Sequence, residues 1–411
     1  MSGLRFRFAF EPGRTTPPVG LLDRADLVPN PTPKQIVLFS GGLDSLTGVC
    51  QALAEGERDL YLVSHRTQNT AYSTQHGLHQ ALARDQAAGR VNHIVFTEHL
   101  KGDHAAEETQ RTRFFLYAAL AYAVSTALGS DSFYVFENGI TSLNLPKSQQ
   151  MMNARNSRTT HPRTLTDLRT LLSLVYDGDF RIYNPFAWLT KADVVGTLIK
   201  LGHGDYLSSS VSCSKTFDPK VKGLHTHCGR CSQCIDRRIA IYATEQERYD
   251  NEALYALDFV TQDIESEESL TILKDYVRQA YRFATASFDD FVGEWLDDLA
   301  DIVPALGTDE TTAMERLYRL CKSHGEAALH GAQRMRLKED LKQPRIPNTS
   351  IQILEGREYL EEVRRESETA AARRLACELH ACPAGQENFA TYENTVIASC
   401  RPCGPGREWC C

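Results

Sequence analysis

Residues 36–45, IVLFSGGLDS, decide the fold, because they run from an apolar strand through two glycines into the start of a helix. Neither glycine carries a Cβ, so the backbone can turn tightly and bring its amides against a ligand. Leu46, Val49, Cys50 and Leu53 then have the spacing of one buried helix face. A helix that begins at this turn directs its free N–H groups toward the same point, which favours a bound anion.

The turn differs from the two most familiar phosphate-binding motifs. It lacks the lysine of a Gly-x-x-x-x-Gly-Lys loop and the third glycine of a dinucleotide fingerprint. It resembles the Ser-Gly-Gly-x-Asp-Ser signature of the PP-loop ATPases, which hold the β- and γ-phosphates of ATP and release them as pyrophosphate. The predicted nucleotide contacts in the turn are Ser40, Gly41, Gly42, Leu43, Asp44 and Ser45. The alternative is a serine-rich strand-to-helix turn that binds no ligand.

Four cysteines farther along the chain have the spacing of metal ligands: Cys213, Cys228, Cys231 and Cys234. Gaps of two residues let thiolates converge on one tetrahedral Zn²⁺, and the fourth ligand can come from a distant loop. A set of four protein sulfurs leaves no open position for a substrate, so the expected role is structural. Two alternatives stay open: His225 or His227 replaces Cys213 as a ligand, or the cysteines are clustered thiols without a metal.

The order of the two motifs resembles the QueC family, the 7-cyano-7-deazaguanine synthases. Further matching segments lie between and after them: Arg113-Phe114-Phe115-Leu116, Asn138-Gly139, Thr190-Lys191-Ala192-Asp193 and Asp236-Arg237-Arg238. The resemblance covers about residues 34–245. The additional chain on either side looks like the enlarged QueC-like proteins of anti-phage defence operons, QatC among them.

The composition favours a soluble enzyme of a reducing, cytoplasmic compartment. The chain has 411 residues, of which 42% are hydrophobic and 24% are charged, enough for a sizeable core and two domains. A net charge of −8 disfavours a general nucleic-acid surface. The first residues do not resemble a secretory signal, and the apolar run 114–128 is too short to span a membrane. Twelve cysteines without a secretion signal favour metal ligation over disulfides.

Strand and helix signals alternate after residue 34 and predict an α/β fold, a doubly wound parallel sheet with helices on both faces. The predicted strands are 36–39, 60–63, 93–96, 133–136 and 181–183. Ser40, His65, Thr97 and Asn138 follow four of these strands. In such sheets ligands bind beyond the carboxyl ends of the strands, so these side chains are expected to surround the ligand.

Composition divides the chain into four parts. A strand-like segment and a proline-rich connector make an N-terminal extension over residues 1–33. The PP-loop ATPase domain with its zinc site is predicted over 34–245, and amphipathic helices form a C-terminal helical domain over 246–375. One apolar stripe of that domain is Phe288, Phe291, Val292, Trp295, Leu296 and Leu299. The Cys-rich tail over 376–411 is either a second metal site or a disordered segment, and no role is assigned to it.

The resemblance implies a ligase that uses ATP. In this family ATP adenylates the carboxylate of a deazaguanine, an amine displaces AMP to give an amide, and a second activation dehydrates the amide to a nitrile. The implied cofactors are ATP, Mg²⁺ and Zn²⁺, with loop amides and the magnesium neutralising charge on the departing pyrophosphate. Asp44 and Lys191 are the predicted catalytic residues, Arg113 and Lys191 the phosphate contacts, and Asn138 the base contact. The alternatives are helix N-capping for Asp44 and ordinary surface charge for Arg113 and Lys191.

The acceptor is expected to differ from that of an ordinary synthase. The usual substrate-loop sequence is missing from residues 141–163, where Asn144-Leu145-Pro146 and Arg155-Asn156-Ser157-Arg158 precede His161-Pro162. We therefore predict an amide or nitrile of 7-carboxy-7-deazaguanine, formed with either ammonia or an amine of a partner protein from the same operon. Two other classes stay open: a PP-loop tRNA-modifying enzyme, which the acidic charge opposes, and a non-catalytic ATP-binding subunit of a defence complex, which the intact turn opposes.

Overall fold

The computed structural model describes residues 32–340, except 57, 68, 86–88, 98–112, 147–158, 217–220, 222, 263 and 265. Within these residues the strands are β1 (Lys34–Leu38), β2 (Asp59–His65), β3 (Val91–Phe96), β4 (Ser132–Tyr134) and β5 (Arg181–Tyr183). The helices are α1 (Leu43–Glu55), α2 (Asn69–Asp85), α3 (Arg113–Ala127), α4 (Gly139–Leu143), α5 (Pro162–Tyr176), α6 (Lys191–Lys200), α7 (Ser232–Ala243), α8 (Glu267–Thr285), α9 (Phe288–Glu294), α10 (Leu296–Ile302) and α11 (Glu310–Asp340).

The strands form one parallel sheet in the order β3-β2-β1-β4-β5. β1 is central: Val37 is aligned with Leu62 of β2 on one side and with Tyr134 of β4 on the other. The chain winds outward from β1 in both directions, which confirms the predicted doubly wound sheet. The winding reverses beside β1, and ligands of such sheets bind in the crevice at the point of reversal.

The predicted strands are all present, but several have different bounds. β2 begins one residue earlier than predicted, because Asp59 pairs with Lys34 of β1, and β3 begins two residues earlier, because Val91 pairs with Leu60 of β2. β4 ends at Tyr134, two residues before the predicted end, and Val135 keeps only a bond from its N–H to the Tyr183 carbonyl. His65 is the last residue of β2, whereas the sequence placed it after the strand.

Helices cover both faces of the sheet, as predicted. On one face, α1, α2, α6 and α7 pack on side chains that include Val37 and Leu62. On the other face, α3 and α5 pack on side chains that include Ile36 and Val63. Successive residues of a strand point to opposite faces, so a central strand that is covered twice has to be apolar throughout. This explains the apolar run Ile36-Val37-Leu38 within β1.

Helix α1 is enclosed on nearly every side. Ten of its thirteen residues are buried, which is more than the single face that the sequence predicted. The close approach to the chain after β4 requires Gly48, because a Cβ at this position would lie 2.0 Å from Cγ of Phe136. The position of the helix after the glycine turn is therefore fixed by packing on all sides.

The helices after residue 245 pack directly on α7. Ile235, Ile239 and Tyr242 of α7 share a buried core with side chains of α8 and α11, among them Leu273 and Met335. A second helical core joins α9, α10 and α11 to α4, which follows β4. The C-terminal helices therefore contact both the thiol-bearing region and the chain that leaves the sheet.

The apolar stripe predicted over residues 288–299 is only partly a single helix. Phe291, Trp295 and Leu299 are buried in one core, as their spacing indicates. The helix is nevertheless interrupted at Trp295, which separates the end of α9 from the start of α10, and Leu296 is exposed.

Several predictions concern residues outside the described part of the chain: the strand-like segment 4–10, residues 155–158, residues 341–375 of the helical domain, and the Cys-rich tail. The division of the chain at residue 245 stays a prediction. No helix in the described part of the chain has both the length and the apolar character needed to cross a membrane.

Candidate functional site

A cavity of about 430 Å³ lies at the carboxyl ends of β1 and β2. Its walls come from the glycine turn, the first turn of α3, the start of α6 and the loop before α7. Seven of the residues predicted to contact the nucleotide line it: Ser40, Gly42, Leu43, Asp44, Ser45, Arg113 and Lys191. Gly41 and Asn138 are adjacent to these residues and do not line the cavity.

The turn after β1 has the geometry of an anion cradle. Gly41 has φ of +77°, in the region that favours glycine, and Gly42 caps α1 without a side chain that could bond the first amides of the helix. Two hydroxyl groups accept from these amides: Gly42 N–H donates to Ser40 Oγ at 3.2 Å, and Leu43 N–H donates to Ser212 Oγ at 3.3 Å. Phosphate oxygens accept in the same way, so the donors of this turn fit the phosphates of a nucleotide.

Asp44 and Lys191 form a buried ion pair in the cavity wall. Lys191 Nζ donates to Asp44 Oδ1 at 2.7 Å, and Asn138 donates to Oδ2 from its side chain at 2.8 Å and from its backbone at 3.1 Å. Burial raises the pKa of Asp44, but the charge of Lys191 and these hydrogen bonds hold it below its ordinary value. Burial lowers the pKa of Lys191, but Asp44, Asp236 and Glu137 raise it above its ordinary value. Both groups are therefore charged at neutral pH.

The local sequence places Lys191 at the first residue of α6. Thr190 caps this helix, because its hydroxyl accepts from the Asp193 N–H while the Asp193 carboxylate accepts from the Thr190 N–H at 2.8 Å. A helix N-terminus disfavours a lysine, since the helix dipole is positive there. The carboxylate of Asp44 compensates for that position, and Asp44 does not cap its own helix α1.

Glu137 is a candidate that the sequence analysis missed. It lines the cavity beside Asp44, to which it is hydrogen-bonded. Burial, and then the negative charge of Asp44, raises the pKa of Glu137 well above its ordinary value. The sequence did contain a signal, because Glu137 directly precedes Asn138 beyond the end of β4, where parallel sheets bind their ligands.

The two other predicted ligand contacts are Arg113, which lines the cavity, and Asn138, which does not. Arg113 stands on the cavity wall at the start of α3, and its Nε donates to the Tyr117 hydroxyl. Asn138 is fully buried, and its side-chain nitrogen donates to Asp44 and to Thr141 Oγ1. Its Oδ1 accepts from the Thr141 N–H and so caps α4. Asn138 thus positions Asp44, and a direct contact with a base stays a prediction.

A second cavity of about 430 Å³ adjoins the first and is lined by residues of α4, α7, α8 and α11. The two cavities share four lining residues, namely Glu137, Thr159, Ser214 and Gln233. Three carboxyl groups line the second cavity: Glu137, Asp236 and Asp275. The Tyr276 hydroxyl donates to Asp236 Oδ1 at 2.8 Å. The C-terminal helices therefore form one wall of an acidic chamber that adjoins the first cavity.

The four predicted zinc ligands come together. The Sγ atoms of the four cysteines all lie within 4.8 Å of one another, and those of Cys228 and Cys234 are 3.9 Å apart. A tetrahedral Zn²⁺ with bonds of about 2.3 Å needs sulfurs about 3.8 Å apart, so this donor set fits the ion. All four are free thiols. Backbone N–H groups of Lys215, Cys228 and Arg230 donate to the sulfurs, as suits thiolate ligands.

The two histidines considered as alternative ligands bond elsewhere. His227 is buried, its Nε2 accepts from the Ser212 N–H at 3.3 Å, and its ring stacks on Tyr255. His225 Nδ1 lies 3.1 Å from the Ala253 carbonyl oxygen. Neither belongs to the thiol cluster. Because the Ser212 hydroxyl also accepts from the glycine turn, the loop that carries Cys213 supports both sites.

Known proteins match about half of this chain. Residues 158–245 match the family model described as Queuosine biosynthesis protein QueC. The 7-cyano-7-deazaguanine synthase of Syntrophotalea carbinolica is 30% identical over 218 residues, which cover 49% of this chain and 88% of the relative. The chain belongs to the QueC family.

Two further 7-cyano-7-deazaguanine synthases are similar to this QueC family member over the same share of the chain. That of Geobacter sulfurreducens is 27% identical over 223 residues, which cover 49% of this chain and 86% of the relative. That of Myxococcus xanthus is 26% identical over 234 residues, which cover 50% of this chain and 91% of the relative. The match to the QueC family model ends at residue 245, before α8 begins, so α8 and α11, which contribute to the wall of the second cavity, lie outside it.

The sequence analysis also missed two polar side chains that bond the backbone beside the candidate site. The Ser64 hydroxyl donates to the Phe39 carbonyl at 2.6 Å, and the Gln75 amide donates to the Ser40 carbonyl at 3.3 Å. Both hold the end of β1 and the start of the turn. Polar residues of this kind carry no local signal, because their function depends on contacts between distant segments.

Proposed function

We propose that this chain is an ATP-dependent ligase that activates the carboxylate of 7-carboxy-7-deazaguanine and joins it to an amine. The curated relatives, which are 7-cyano-7-deazaguanine synthases, support this substrate class. The observation that carries the proposal is the uncapped glycine turn, which adjoins the Asp44–Lys191 pair in the wall of a cavity of about 430 Å³. A volume of this size suits a small-molecule ligand.

In the first half-reaction, the substrate carboxylate forms a bond to the α-phosphorus of ATP, and the bond to pyrophosphate breaks. The amides of residues 40–45 would bind the departing phosphates, and Arg113 would contact them from the facing wall. Mg²⁺ bound with ATP would supply further positive charge, and Asp44 is the carboxylate nearest the turn that would hold it. Lys191 would keep Asp44 ionised and add its own charge at the phosphates.

In the second half-reaction, an amine attacks the activated carbonyl carbon, AMP leaves, and the amine loses a proton. Glu137 stands where the two cavities meet, and burial and the charge of Asp44 raise its pKa well above the ordinary value, so its carboxylate is a stronger base than that of an ordinary glutamate. We assign it the role of proton acceptor in this step. Asp236 would favour a cationic amine in the second cavity before it reacts, whereas Asp275 is already paired with Arg278 at 2.9 Å.

The size of the second cavity favours an acceptor larger than ammonia. A molecule the size of water occupies about 30 Å³ in the liquid, whereas this chamber measures about 430 Å³. We propose a terminal or side-chain amine of a partner protein, encoded in the same anti-phage defence operon, with the product an amide. The enzyme would act in the cytoplasm, and Zn²⁺ at the four thiols would stabilise the loop that carries Ser212 and Cys213 without contacting substrate.

The proposal is tested by incubating the pure protein with ATP and 7-carboxy-7-deazaguanine, alone, with ammonia, and with a short peptide that has a free amine. Nucleotides and products are followed by mass spectrometry. We expect AMP and pyrophosphate in every reaction that contains the deazaguanine, and an amide of the peptide in the third. A nitrile formed with ammonia and no peptide amide would indicate an ordinary synthase and refute the protein acceptor.

Asp44→Asn is the control for the first half-reaction, since the variant keeps the shape of the side chain and removes its charge. We expect it to release little or no AMP. ADP in place of AMP, or no nucleotide turnover with any substrate, would refute the ligase proposal. Binding of tRNA that weakens steeply with salt would favour a tRNA-modifying enzyme instead.

A further inference from the structure

Three histidines gather at the edge of the sheet, away from the four thiols. His76 and His79 are three residues apart on α2, and His93 lies on the edge strand β3. One ring nitrogen of each lies within 4.8 Å of a ring nitrogen of the other two. The ring centroids of His79 and His93 are 5.2 Å apart, and those of His76 and His79 are 6.4 Å apart.

Hydrogen bonds determine which nitrogen carries the hydrogen in two of these rings. His79 Nε2 lies 3.1 Å from the carbonyl oxygen of Val91, which can only accept, so this nitrogen donates. The Ser64 hydroxyl donates to the Phe39 carbonyl, so His93 Nε2, 2.9 Å from Ser64 Oγ, is the donor in that contact. In both rings the lone pair is therefore on Nδ1. Metal-bound histidines have this arrangement, in which one nitrogen donates to a protein oxygen and the other faces the ion.

The lone pair on His79 Nδ1 lacks a protein partner. The atom is buried and has no hydrogen bond to any residue in the described part of the chain. A buried acceptor without a partner destabilises the fold, and a bound ion would remove that cost.

We propose that His76, His79 and His93 form a second metal site, for a divalent transition-metal ion that binds imidazole, with Zn²⁺ as the first candidate. Imidazole nitrogens suit Zn²⁺, Co²⁺ and Ni²⁺, and three protein ligands leave one tetrahedral position for water. The ion would join α2 to β3. It would also lie two hydrogen bonds from the glycine turn, through His93, Ser64 and the Phe39 carbonyl.

The test uses the full chain with one equivalent of Zn²⁺ at the thiols, titrated with Co²⁺ by calorimetry and absorption spectroscopy. We expect one further equivalent of Co²⁺ to bind without the intense charge-transfer absorption of cobalt thiolates. His76→Ala is the decisive variant, because this side chain is partly exposed on a helix and alanine keeps the helix. We expect it to weaken Co²⁺ binding at least about tenfold. His330→Ala, which changes an exposed histidine on α11, should bind Co²⁺ like the unchanged protein.

If the protein with Zn²⁺ at its four thiols bound no Co²⁺, the proposal would be overturned. Equal Co²⁺ affinities in the unchanged protein and in His76→Ala would also overturn it. A second measurement is the Tm in the presence of excess Zn²⁺, which should rise more in the unchanged protein than in His79→Gln. Neither measurement involves nucleotide or product, so its outcome is independent of the ligase proposal.

Discussion

Lys191 Nζ lies 2.7 Å from Asp44 Oδ1, although 147 residues separate them along the chain, and both side chains are buried. The contact joins the start of α6 to the first turn of α1, and Asn138 adds the chain beyond β4 through two hydrogen bonds to the same carboxylate. Three segments of the chain therefore meet at one carboxyl group. The charge balance of the candidate site depends on this group.

Replacement of one residue of the Asp44–Lys191 pair is expected to lower the free energy of unfolding. Lys191→Met leaves the buried carboxylate of Asp44 without its cation, and we expect a loss of about 3–5 kcal/mol in the free energy of unfolding. The double variant Asp44→Asn/Lys191→Met removes both charges and should recover part of that loss. Urea unfolding measures the stabilities, and AMP release measures function. If the double variant also recovered AMP release, the pair would be structural only.

Glu137 should make stability depend on pH in a defined direction. Its pKa in the folded protein is raised, so its contribution to stability is complete below the ordinary pKa of 4.5 and is lost as the pH rises through the folded pKa. Relative to Glu137→Gln, the unchanged protein should lose at most about 1.4 kcal/mol per pH unit in this window. Urea unfolding of both proteins at a series of pH values gives the difference. Parallel stability curves would contradict the raised pKa.

Two helix glycines should respond in opposite ways to alanine. In Gly48→Ala the new Cβ would lie 2.0 Å from Cγ of Phe136, and we expect a loss of about 1–3 kcal/mol or more from overpacking. Gly196, in α6, has no atom within 4 Å of the position of a new Cβ, so Gly196→Ala is the matched control. It should gain about 0.5–1 kcal/mol from helix propensity. Equal losses in the two variants would show that α1 is not held by this contact.

The thiol cluster should bind one Zn²⁺ that stabilises the fold. In Cys231→Ser we expect the loss of this equivalent and a lower Tm, because a bound structural metal contributes directly to folding. Cys321→Ala removes a buried free thiol outside the cluster and should keep the metal. Metal analysis and thermal unfolding of both variants provide the comparison. Retention of the zinc in Cys231→Ser would contradict the four-sulfur site.

The fold was predictable because its decisive signals are local. The apolar run of β1, the two glycines and the buried positions of α1 lie within one short stretch, and the spacing of the thiols is likewise visible in the sequence. Glu137 and the histidine cluster were missed because their environments come from distant segments. The break at Trp295 was missed for another reason: Phe291, Trp295 and Leu299 all remain buried, so the apolar period continues through a point where the helix itself ends.

The shared core of α7, α8 and α11 has a consequence for any shortened version of this protein. A fragment that stopped at residue 245, where the match to the QueC family model ends, would leave Ile235, Ile239 and Tyr242 in contact with water. Each such side chain contributes about 1.5–3 kcal/mol through burial, a sum comparable to the whole stability of many domains. A chain truncated there is therefore expected to aggregate, and α8 and α11 must be expressed together with α7.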